Sequence, residues 1–571
     1  MAGLSVAVVA VPQAMAYALI AGVPPVYGLY TVIVQAALGA VFNSQKFLSV
    51  GPINTQALLT ASIVQRLSGS EDPATYLGYV VTLTLLKGLI QLAMASLRLG
   101  HLVRFVSQSV VVGFTAGAGV LIAVGQVPSL LGFSASRTDA DWPGLVGAVQ
   151  RTVRGLEQTS ATSVGIGLGC LAVLWIAQRT HRMAPGPLLA VLAGAAAVAL
   201  IGAERAAFAR VPEMPSGFRF EWPGLRLDQP DALVAGAVAL ALLGLLEAYS
   251  IGRSIGQRTG ERVSANAELF GQGVVNFLSY PLWCIPGSGS FSRSALNHRA
   301  GAKTAFSSLF ASGFVLIAFL MLADSARLIP MASIAAVLFV IAYGLIDWRY
   351  VRRIRKADPA DAAVCVATFA ATLLAPLQYA VFLGIFLNLA LYLRRASQLH
   401  LIQMSPTGHG PFTERPIHDR SGRERVLLLQ VEGNLFFAQA DALADALASV
   451  AQSGTQAAVL RLKRTHSIDA TCLDCLERFV LDMQERGKHV VLCGVTGEMD
   501  HRLRRFGLVG VVGKANYFET ELGVFASTRR ALDRARELVG VSIDVDALDV
   551  DVDEDEPATP ASAPPEPRPN G

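Results

Sequence analysis

Long apolar segments separated by short polar loops constrain this chain more than any other feature. No Lys, Arg, Asp or Glu occurs before Lys46. Hydrophobic residues make up 53% and charged residues 16% of the 571 positions. A helix of roughly 20 apolar residues is long enough to cross a bilayer. The composition therefore excludes a soluble protein of this size and predicts a helical membrane protein that crosses the bilayer many times.

Two of the apolar segments are unusually short. Segments 52–66 and 291–300 open with Gly, Pro and Ser residues, which is typical of helices that are broken at a binding site. The first and third segments recur as the eighth and tenth, at offsets of roughly 230–240 residues, so the spacing predicts seven-plus-seven spans in an inverted repeat. The fourteen candidate spans are 3–21, 27–42, 52–66, 78–97, 108–131, 161–178, 186–202, 231–250, 267–284, 291–300, 304–323, 328–346, 361–375 and 377–394.

Basic residues concentrate in one set of alternate short loops. The opposite loop at 67–78 contains Glu71 and Asp72 and no basic residue. Because positively charged loops stay in the cytoplasm, we expect both termini to be cytoplasmic and the protein to reside in the inner or plasma membrane. The basic residues of the first set are Lys46; Arg98 and Arg104; Arg179 and Arg182; Arg253, Arg258 and Arg262; and Arg349, Arg352, Arg353, Arg355 and Lys356.

The chain begins almost inside its first apolar segment. No basic region precedes that segment, so a cleavable signal peptide is not expected.

The sequence after the last apolar segment is typical of a soluble domain. Residues 1–395 are predicted to form the transmembrane domain, 396–424 a polar linker, 425–540 a small α/β domain and 541–571 a disordered acidic and Pro-rich tail. The predicted strands are 426–431, 457–462 and 489–495, and the predicted helices are 440–452, 471–486, 498–506 and 521–539.

The two short segments predict an anion site. Gly51 and Pro52 open one of them, and Gly287 to Ser290 precede the other. Pro suits a first helical position, where its missing N–H has no cost. A helix N-terminus offers unpaired N–H groups and about +0.5 of an elementary charge. Two such ends near the middle of the bilayer would bind an oxyanion.

Charged residues inside apolar segments are candidates for function, because placing them there is costly. Arg293 lies in the second short segment; the alternative is an Arg that extends to the headgroups. Glu247 either pairs with Arg293, carries a proton, or is a boundary residue solvated by the cytoplasm. Lys87 either attracts anions or extends to a headgroup. Glu268, at the start of its segment, is interpreted as a structural cap.

Other functional classes find little support. The basic residues form no single face, so nucleic acid is not an expected partner. Nothing resembles a nucleophile–base pair, and neither enzyme activity nor a cofactor is expected. Cys472 and Cys475 form a C-x-x-C pair without a redox or zinc context. Gly113 and Gly117 suggest close helix packing.

Several short motifs, in order along about residues 3–538, resemble the SulP family of sulfate permeases and sulfate/anion exchangers. They are Val11-Pro12-Gln13-Ala14-Met15-Ala16-Tyr17-Ala18, Pro25-Val26-Tyr27-Gly28-Leu29-Tyr30, Ser49-Val50-Gly51-Pro52, Gly113-Phe114-Thr115, Glu268-Leu269 with Gly271-Gln272-Gly273 and Asn276, and Ser290-Phe291-Ser292-Arg293-Ser294-Ala295.

The resemblance implies fourteen spans in the seven-plus-seven fold of uracil permeases, a core that moves against a gate, and a homodimer. Family members usually have a cytoplasmic stretch before the first span, whereas this chain begins almost inside it, so the resemblance also implies a truncated or wrongly assigned start. The resemblance further assigns site residues. The acidic residue that is proton-linked in sulfate and dicarboxylate relatives corresponds to Glu247, and the family often has an aromatic residue where this chain has Ile53. The anion site implied by the family consists of Gln13, Tyr17, Ile53, Ser292 and Arg293.

The C-terminal region resembles a STAS domain, the fold of anti-sigma-factor antagonists. Glu432 to Phe437 and Ile468 to Thr471 carry the likeness. Ala470 stands where the antagonists have a phosphorylatable Ser. Thr471 is either a phosphosite or, by the preferred interpretation, a helix N-cap. A cytoplasmic protein partner of this domain is an open possibility.

The sequence thus predicts a secondary active transporter of a small oxyanion, with sulfate taken up together with protons by alternating access. The expected partners are the anion, membrane lipid and a second copy of the chain. Alternatives are a bicarbonate or dicarboxylate symporter, or an exchanger or leak for chloride and other anions. A membrane-anchored STAS signalling protein is the alternative from another class.

Overall fold

The protein is represented by a computed structural model that describes residues 1–68, 72–133, 144–180, 185–201, 217, 221–322, 327–407, 410–416, 424–521 and 525–540. The predicted tail at 541–571 lies outside the described residues, as do Glu71 and Arg182. The chain divides into two compact units, with the boundary between Leu391 and Tyr392.

The first unit is helical, with one pair of very short strands, β1 (Val50–Gly51) and β2 (Ser288–Gly289). Its described α-helices are α1 Ala2–Ile20, α2 Pro25–Phe42, α3 Asn54–Leu67, α4 Pro73–Ser96, α5 Gln108–Leu131, α6 Gly144–Gly155, α7 Ala161–Thr180, α8 Gly186–Ile201, α9 Pro230–Thr259, α10 Ala265–Ser279, α11 Phe291–Arg299, α12 Phe306–Leu322, α13 Met331–Gly344, α14 Trp348–Ala357, α15 Pro359–Leu374 and α16 Leu377–Ala396.

Each of the fourteen predicted segments overlaps one of these helices. Among the described residues, eight helices are long and apolar enough to cross a membrane, and three shorter ones are also apolar. The protein is therefore a helical membrane protein, while the number of spans stays a prediction. Two helices, α6 and α14, lie where loops were predicted. The N-cap of the basic α14 is Asp347, whose carboxylate accepts from the backbone N–H groups of Arg349 and Tyr350 at 3.1 and 3.0 Å.

Small residues allow the helices of the first unit to pack closely. A Cβ on Gly117 would lie 2.6 Å from the side chain of Thr372, and a Cβ on Gly113 would meet the carbonyl of Cys365. Helices α5 and α15 therefore approach at a distance that larger residues would prevent, as expected for small residues four apart in a membrane helix.

The second unit is a six-stranded sheet with helices on both faces. The strand order is β4-β3-β5-β6-β7-β8; the pairs that include β3 are antiparallel and the others are parallel. Helices α17, α18, α19 and α20 cover one apolar core, and α21 covers the other. The elements are β3 His400–Thr407, β4 Gly410–Pro416, β5 Val426–Leu435, α17 Ala440–Gln452, β6 Ala457–Ile468, α18 Ala470–Glu485, β7 His489–Val495, α19 Gly497–Phe506, α20 Leu508–Val512, β8 Tyr517–Glu519 and α21 Ala526–Val539.

The predicted linker at 396–424 is wrong for residues 400–407 and 410–416, which form the antiparallel strands β3 and β4. Strand β3 pairs with β5 from His400↔Glu432 to Met404↔Leu428 and thereby extends the sheet. The buried side chain of Met404 joins the core under α21. Strand β4 is an edge strand, where hydrophobic alternation is weak, and Pro406, Pro411 and Pro416 interrupt the strand pattern in the sequence.

Candidate anion site

A two-residue strand pair joins the beginnings of the two broken segments. Val50 pairs with Gly289 and Gly51 with Ser288 in antiparallel register. Ser290 extends the pair by donating its N–H to the carbonyl of Ser49 at 2.9 Å. Because the strands are antiparallel and each is followed by a helix, α3 and α11 leave the pair in opposite directions. Their N-termini therefore lie on either side of the strand pair.

Gly287, directly before β2, lies where two backbone segments come so close that a side chain would not fit. A Cβ on Gly287 would lie 2.7 Å from the carbonyl oxygen of Gly51 and would overlap the amide oxygen of Gln35. Gln35 in turn donates to the carbonyl of Ile285 at 3.2 Å. A side chain at 287 would therefore push the two broken segments apart.

The two helices begin differently. At α3 the N-cap residue is Ile53, which provides no side-chain cap. At α11 the N-cap is Ser290, whose hydroxyl accepts from the N–H of Arg293 at 3.5 Å. The prediction that Pro52 takes the first helical position is wrong, because α3 begins at Asn54 and Pro52 lies between β1 and the helix. The uncapped start of α3 leaves backbone N–H donors without an intrahelical partner.

Arg293 lies fully buried behind the strand pair, so it does not extend to the headgroups. Its Nη1 donates to the carbonyl of Pro52 at 3.0 Å, which ties α11 to the segment that leads into α3. Its Nε and Nη2 have no hydrogen-bond partner in the structure. A guanidinium carries five N–H donors in a rigid fork, and unpaired donors of this kind can bind an oxyanion.

A cavity of about 670 Å³ lies at the two helix starts. Tyr17 and Ile53 line it with almost buried side chains, whereas Ser292 is exposed. The buried amide oxygen of Gln13 has no hydrogen-bond partner. The structure thus brings together all six predicted site residues, with Arg293 behind the wall and the other five on it: Gln13, Tyr17, Ile53, Glu247 and Ser292.

Glu247 is a cavity residue and not a boundary residue. Helix α9 continues from the predicted end at 250 to Thr259, so Glu247 lies well within it. One carboxylate oxygen accepts from the hydroxyl of Thr55 in the first turn of α3, and the other is buried without a hydrogen-bond partner. The structure describes both Glu247 and Arg293 and contains no ion pair between them. The pairing that the sequence left open is therefore absent.

Two buried charges behind the site have roles that the sequence did not reveal. Lys87 is fully buried on α4 and donates to the side-chain oxygen of Gln56 at 2.8 Å and to the carbonyl of Gly287 at 2.6 Å. It therefore does not extend to a headgroup. Its position in the middle of an apolar segment was the only sequence signal, and nothing in the sequence indicated its partners.

Glu268 was interpreted as a helix cap, and this is wrong. Ser264 caps α10, while the buried carboxylate of Glu268 accepts from Ser44, Gln45 and Gln272 at 3.0, 3.1 and 3.1 Å. Glu268 therefore holds the segment between α2 and β1 against α10.

The second unit contains no comparable site at its C-x-x-C pair. The described residues of the chain contain no group of three His, Cys, Asp or Glu suited to a metal. Burial raises the pKa of the Cys472 thiol to about 12, so it is not a reactive thiolate. The N-cap of α18 is Asp469, which accepts from the N–H of Cys472 at 2.9 Å. The preferred interpretation of Thr471 as the N-cap is therefore wrong.

Comparison with known families decides the identity of both units. Residues 1–368 match the sulfate permease family, and residues 419–523 match the STAS domain. The chain belongs to the sulfate permease family. It is therefore a multi-pass membrane transporter of anions with a C-terminal STAS domain, and the family consists of transporters and not of enzymes.

Curated relatives match over most of the chain. A probable sulfate transporter of Mycobacterium tuberculosis is 30% identical over 529 residues, which cover 91% of this chain and 93% of the relative. A probable sulfate transporter 4.2 of Arabidopsis thaliana is 26% identical over 546 residues, which cover 91% of this chain and 79% of the relative.

Solved structures share the fold. The structure of SLC26A9 superposes with a TM-score of 0.84 at 18% identity, covering 94% of this chain and 89% of that chain. The transmembrane domain of a cyanobacterial bicarbonate transporter, BicA, superposes with a TM-score of 0.59 at 24% identity, covering 67% of this chain and 95% of that chain. At these identities the likeness shows the fold alone.

Proposed function

We propose that this member of the sulfate permease family takes up sulfate together with protons by alternating access. The observation that carries the proposal is the meeting of two helix N-termini at one cavity, with the unpaired donors of Arg293 buried behind its wall. Backbone N–H groups, the hydroxyl of Ser292 and a guanidinium supply several donors to one oxyanion. The sulfate transporters among the relatives support sulfate as the anion.

Helix α1 contributes the polar groups of Gln13 and Tyr17 to the cavity wall. Ile53, at the start of α3, contributes an apolar side chain to the same wall. A cavity in which a few polar groups converge between apolar walls is the usual form of a small-ligand site.

Glu247 is the proposed proton carrier. Its unpartnered carboxylate oxygen can take up a proton, and its other oxygen is bonded to Thr55 at the start of α3. Protonation would weaken that charge-assisted bond and would change the helix start that binds the anion. Proton binding and anion binding thus share one structural element.

The expected direction of the open cavity follows from the loop charges. Gln108, Ser254 and Asp347 line the cavity, and they lie in or next to segments that contain the basic clusters near 98–104, 253–262 and 349–356. By the distribution of positive charge these segments lie on the cytoplasmic side, so the cavity opens inward. We further propose a homodimer in the inner or plasma membrane, with both termini and a partner-binding STAS domain in the cytoplasm.

Radiolabelled sulfate uptake into proteoliposomes, with and without an inward proton gradient, tests the proposal. We expect the gradient to stimulate uptake by wild type. Glu247→Gln should lose the stimulation but still exchange sulfate across the membrane, because it keeps a bond to Thr55 without a titrating group. Asp361→Asn, a change to another acid at the start of α15, is the matched control. Wild-type uptake that ignores the gradient would contradict proton coupling, and no sulfate flux would contradict the substrate.

A further inference from the structure

The buried lysine behind the site is the feature that the proposed function leaves unexplained. Lys87 makes its two hydrogen bonds with uncharged acceptors, the side chain of Gln56 and the carbonyl of Gly287. Their lengths of 2.8 and 2.6 Å fit an ammonium donor. A buried cation is costly unless a negative charge compensates it.

Glu247 is the carboxylate placed to compensate Lys87. Gln56, which accepts from Lys87, is adjacent in the chain to Thr55, which donates to Glu247. Gly244, one turn before Glu247 on α9, lets the ammonium approach, since a Cβ there would lie 3.2 Å from Nζ. The other acid that lines the cavity, Asp347, caps α14.

The charges around the cavity then have a definite balance. Lys87 and Arg293 are cations, and Glu247 is one carboxylate. With Glu247 ionised, the three groups leave one net positive charge, which suits a monovalent anion. With Glu247 protonated, they leave two net positive charges, which a divalent anion compensates fully. Without Lys87, the balance would fall by one in both states.

We propose that Lys87 is a positioning residue that sets the valence of the transported anion, so that a divalent oxyanion is preferred to a monovalent one. This inference rests on the proposed anion site and deepens it. Lys87 acts from behind, because it binds Gln56 in the first turn of α3 and the Gly287 carbonyl ahead of α11. It therefore fixes both helix starts and adds a full charge to their partial charges.

The test compares Lys87→Met with Gln91→Met. Gln91 lies one turn further along α4, is equally buried, and bonds to the carbonyl of Ala241 and to Asn276, each at 3.4 Å. Both variants remove a buried polar group, but only one removes a charge. The readout is the ratio of sulfate to chloride in uptake into proteoliposomes, and in equilibrium binding to the purified protein. Oxalate and bicarbonate serve as a second divalent and monovalent pair.

We expect Lys87→Met to lower the divalent-to-monovalent ratio by about tenfold or more, because one elementary charge acts on twice the anion charge at low dielectric. Gln91→Met should lower the uptake and binding of both anions by the same factor and leave their ratio unchanged. Where Lys87→Met does not fold, Lys87→Gln, which keeps donors for both acceptors, gives the same ratio.

An unchanged ratio in the Lys87 variant, or an equal change in the Gln91 variant, overturns the inference. Failure of the proposed function is a separate outcome. If the wild-type protein neither transports nor binds sulfate but prefers oxalate to bicarbonate, the proposed substrate is wrong. The ratio of oxalate to bicarbonate in the variants then still decides the role of Lys87. A wild-type protein that prefers monovalent anions in both uptake and binding overturns the inference as well.

Discussion

The starts of α3 and α11 are joined by one strand pair, yet they bring different chemistry to the cavity. The N-cap residue of α3 is Ile53, which provides no side-chain cap, and the first turn contacts the carboxylate of Glu247 through Thr55. The N-cap residue of α11 is Ser290, whose side chain caps the helix, and α11 contains the buried cation Arg293. The carboxylate of Glu247 therefore lies at the start of α3, and the permanent positive charge of Arg293 lies at the start of α11.

The two buried cations also connect the two helix starts. Arg293 belongs to α11 but donates to the Pro52 carbonyl ahead of α3. Lys87 contacts both sides, through Gln56 of α3 and the Gly287 carbonyl ahead of α11. A change at either helix start is therefore transmitted to the other through a charged side chain, and not only through the strand pair.

Removing the permanent charge should have the largest effect. We expect Arg293→Ala to lower sulfate uptake by about 100-fold or more, because losing one partner of a buried, hydrogen-bonded charge costs about 2–5 kcal/mol. Initial uptake rates over a range of sulfate concentrations measure this. The control is Arg299→Ala, at the exposed end of the same helix. Uptake by Arg293→Ala that stays within threefold of wild type would show that α11 does not supply the anion's charge.

Separating the two helix starts should have the next largest effect. Gly287→Ala places a methyl group against the Gly51 carbonyl and Gln35, so we expect about tenfold slower uptake and a loss of about 1–3 kcal/mol in stability from overpacking. Thermal unfolding of the purified protein and uptake are measured together. In the control Gly313→Ala, on α12, the added Cβ meets no atom within 4 Å. Normal uptake in Gly287→Ala would mean that the strand pair is dispensable.

The third largest effect is expected when α3 receives a side-chain N-cap like that of α11. In Ile53→Ser the new hydroxyl would accept from the first free N–H groups of α3 and compete with the anion for them. We expect the KM for sulfate to rise severalfold. The new cap contributes up to about 1 kcal/mol of stability, but the loss of the buried Ile53 side chain offsets it. Ile53→Val, which adds no acceptor, is the control. An unchanged KM in Ile53→Ser would show that the anion does not use these N–H groups.

The sequence revealed the helices of this site better than the contacts between them. Hydrophobic segments and Gly, Pro and Ser residues located α3 and α11, because a membrane helix must be apolar and a broken one needs such residues at its start. The pairing of β1 with β2 could not be predicted, since two-residue strands have no periodicity and lie far apart in the chain. The partners of Lys87 and Glu268 were missed for the same reason: they are set by tertiary packing.

The smallest effect is expected at the cap of α11. The N–H of Arg293 lies 3.5 Å from the Ser290 hydroxyl, at the long limit for a hydrogen bond, so this cap contributes less than a typical one. We expect Ser290→Ala to cost about 0.5 kcal/mol, at the low end for a lost N-cap, and to change the KM for sulfate by less than about twofold. Ser290→Gly should be milder still, because Gly is tolerated at an N-cap. A larger rise in KM for Ser290→Ala than for Ile53→Ser would reverse the comparison, because the hydroxyl of α11 would then bind the anion more strongly than the free N–H groups of α3.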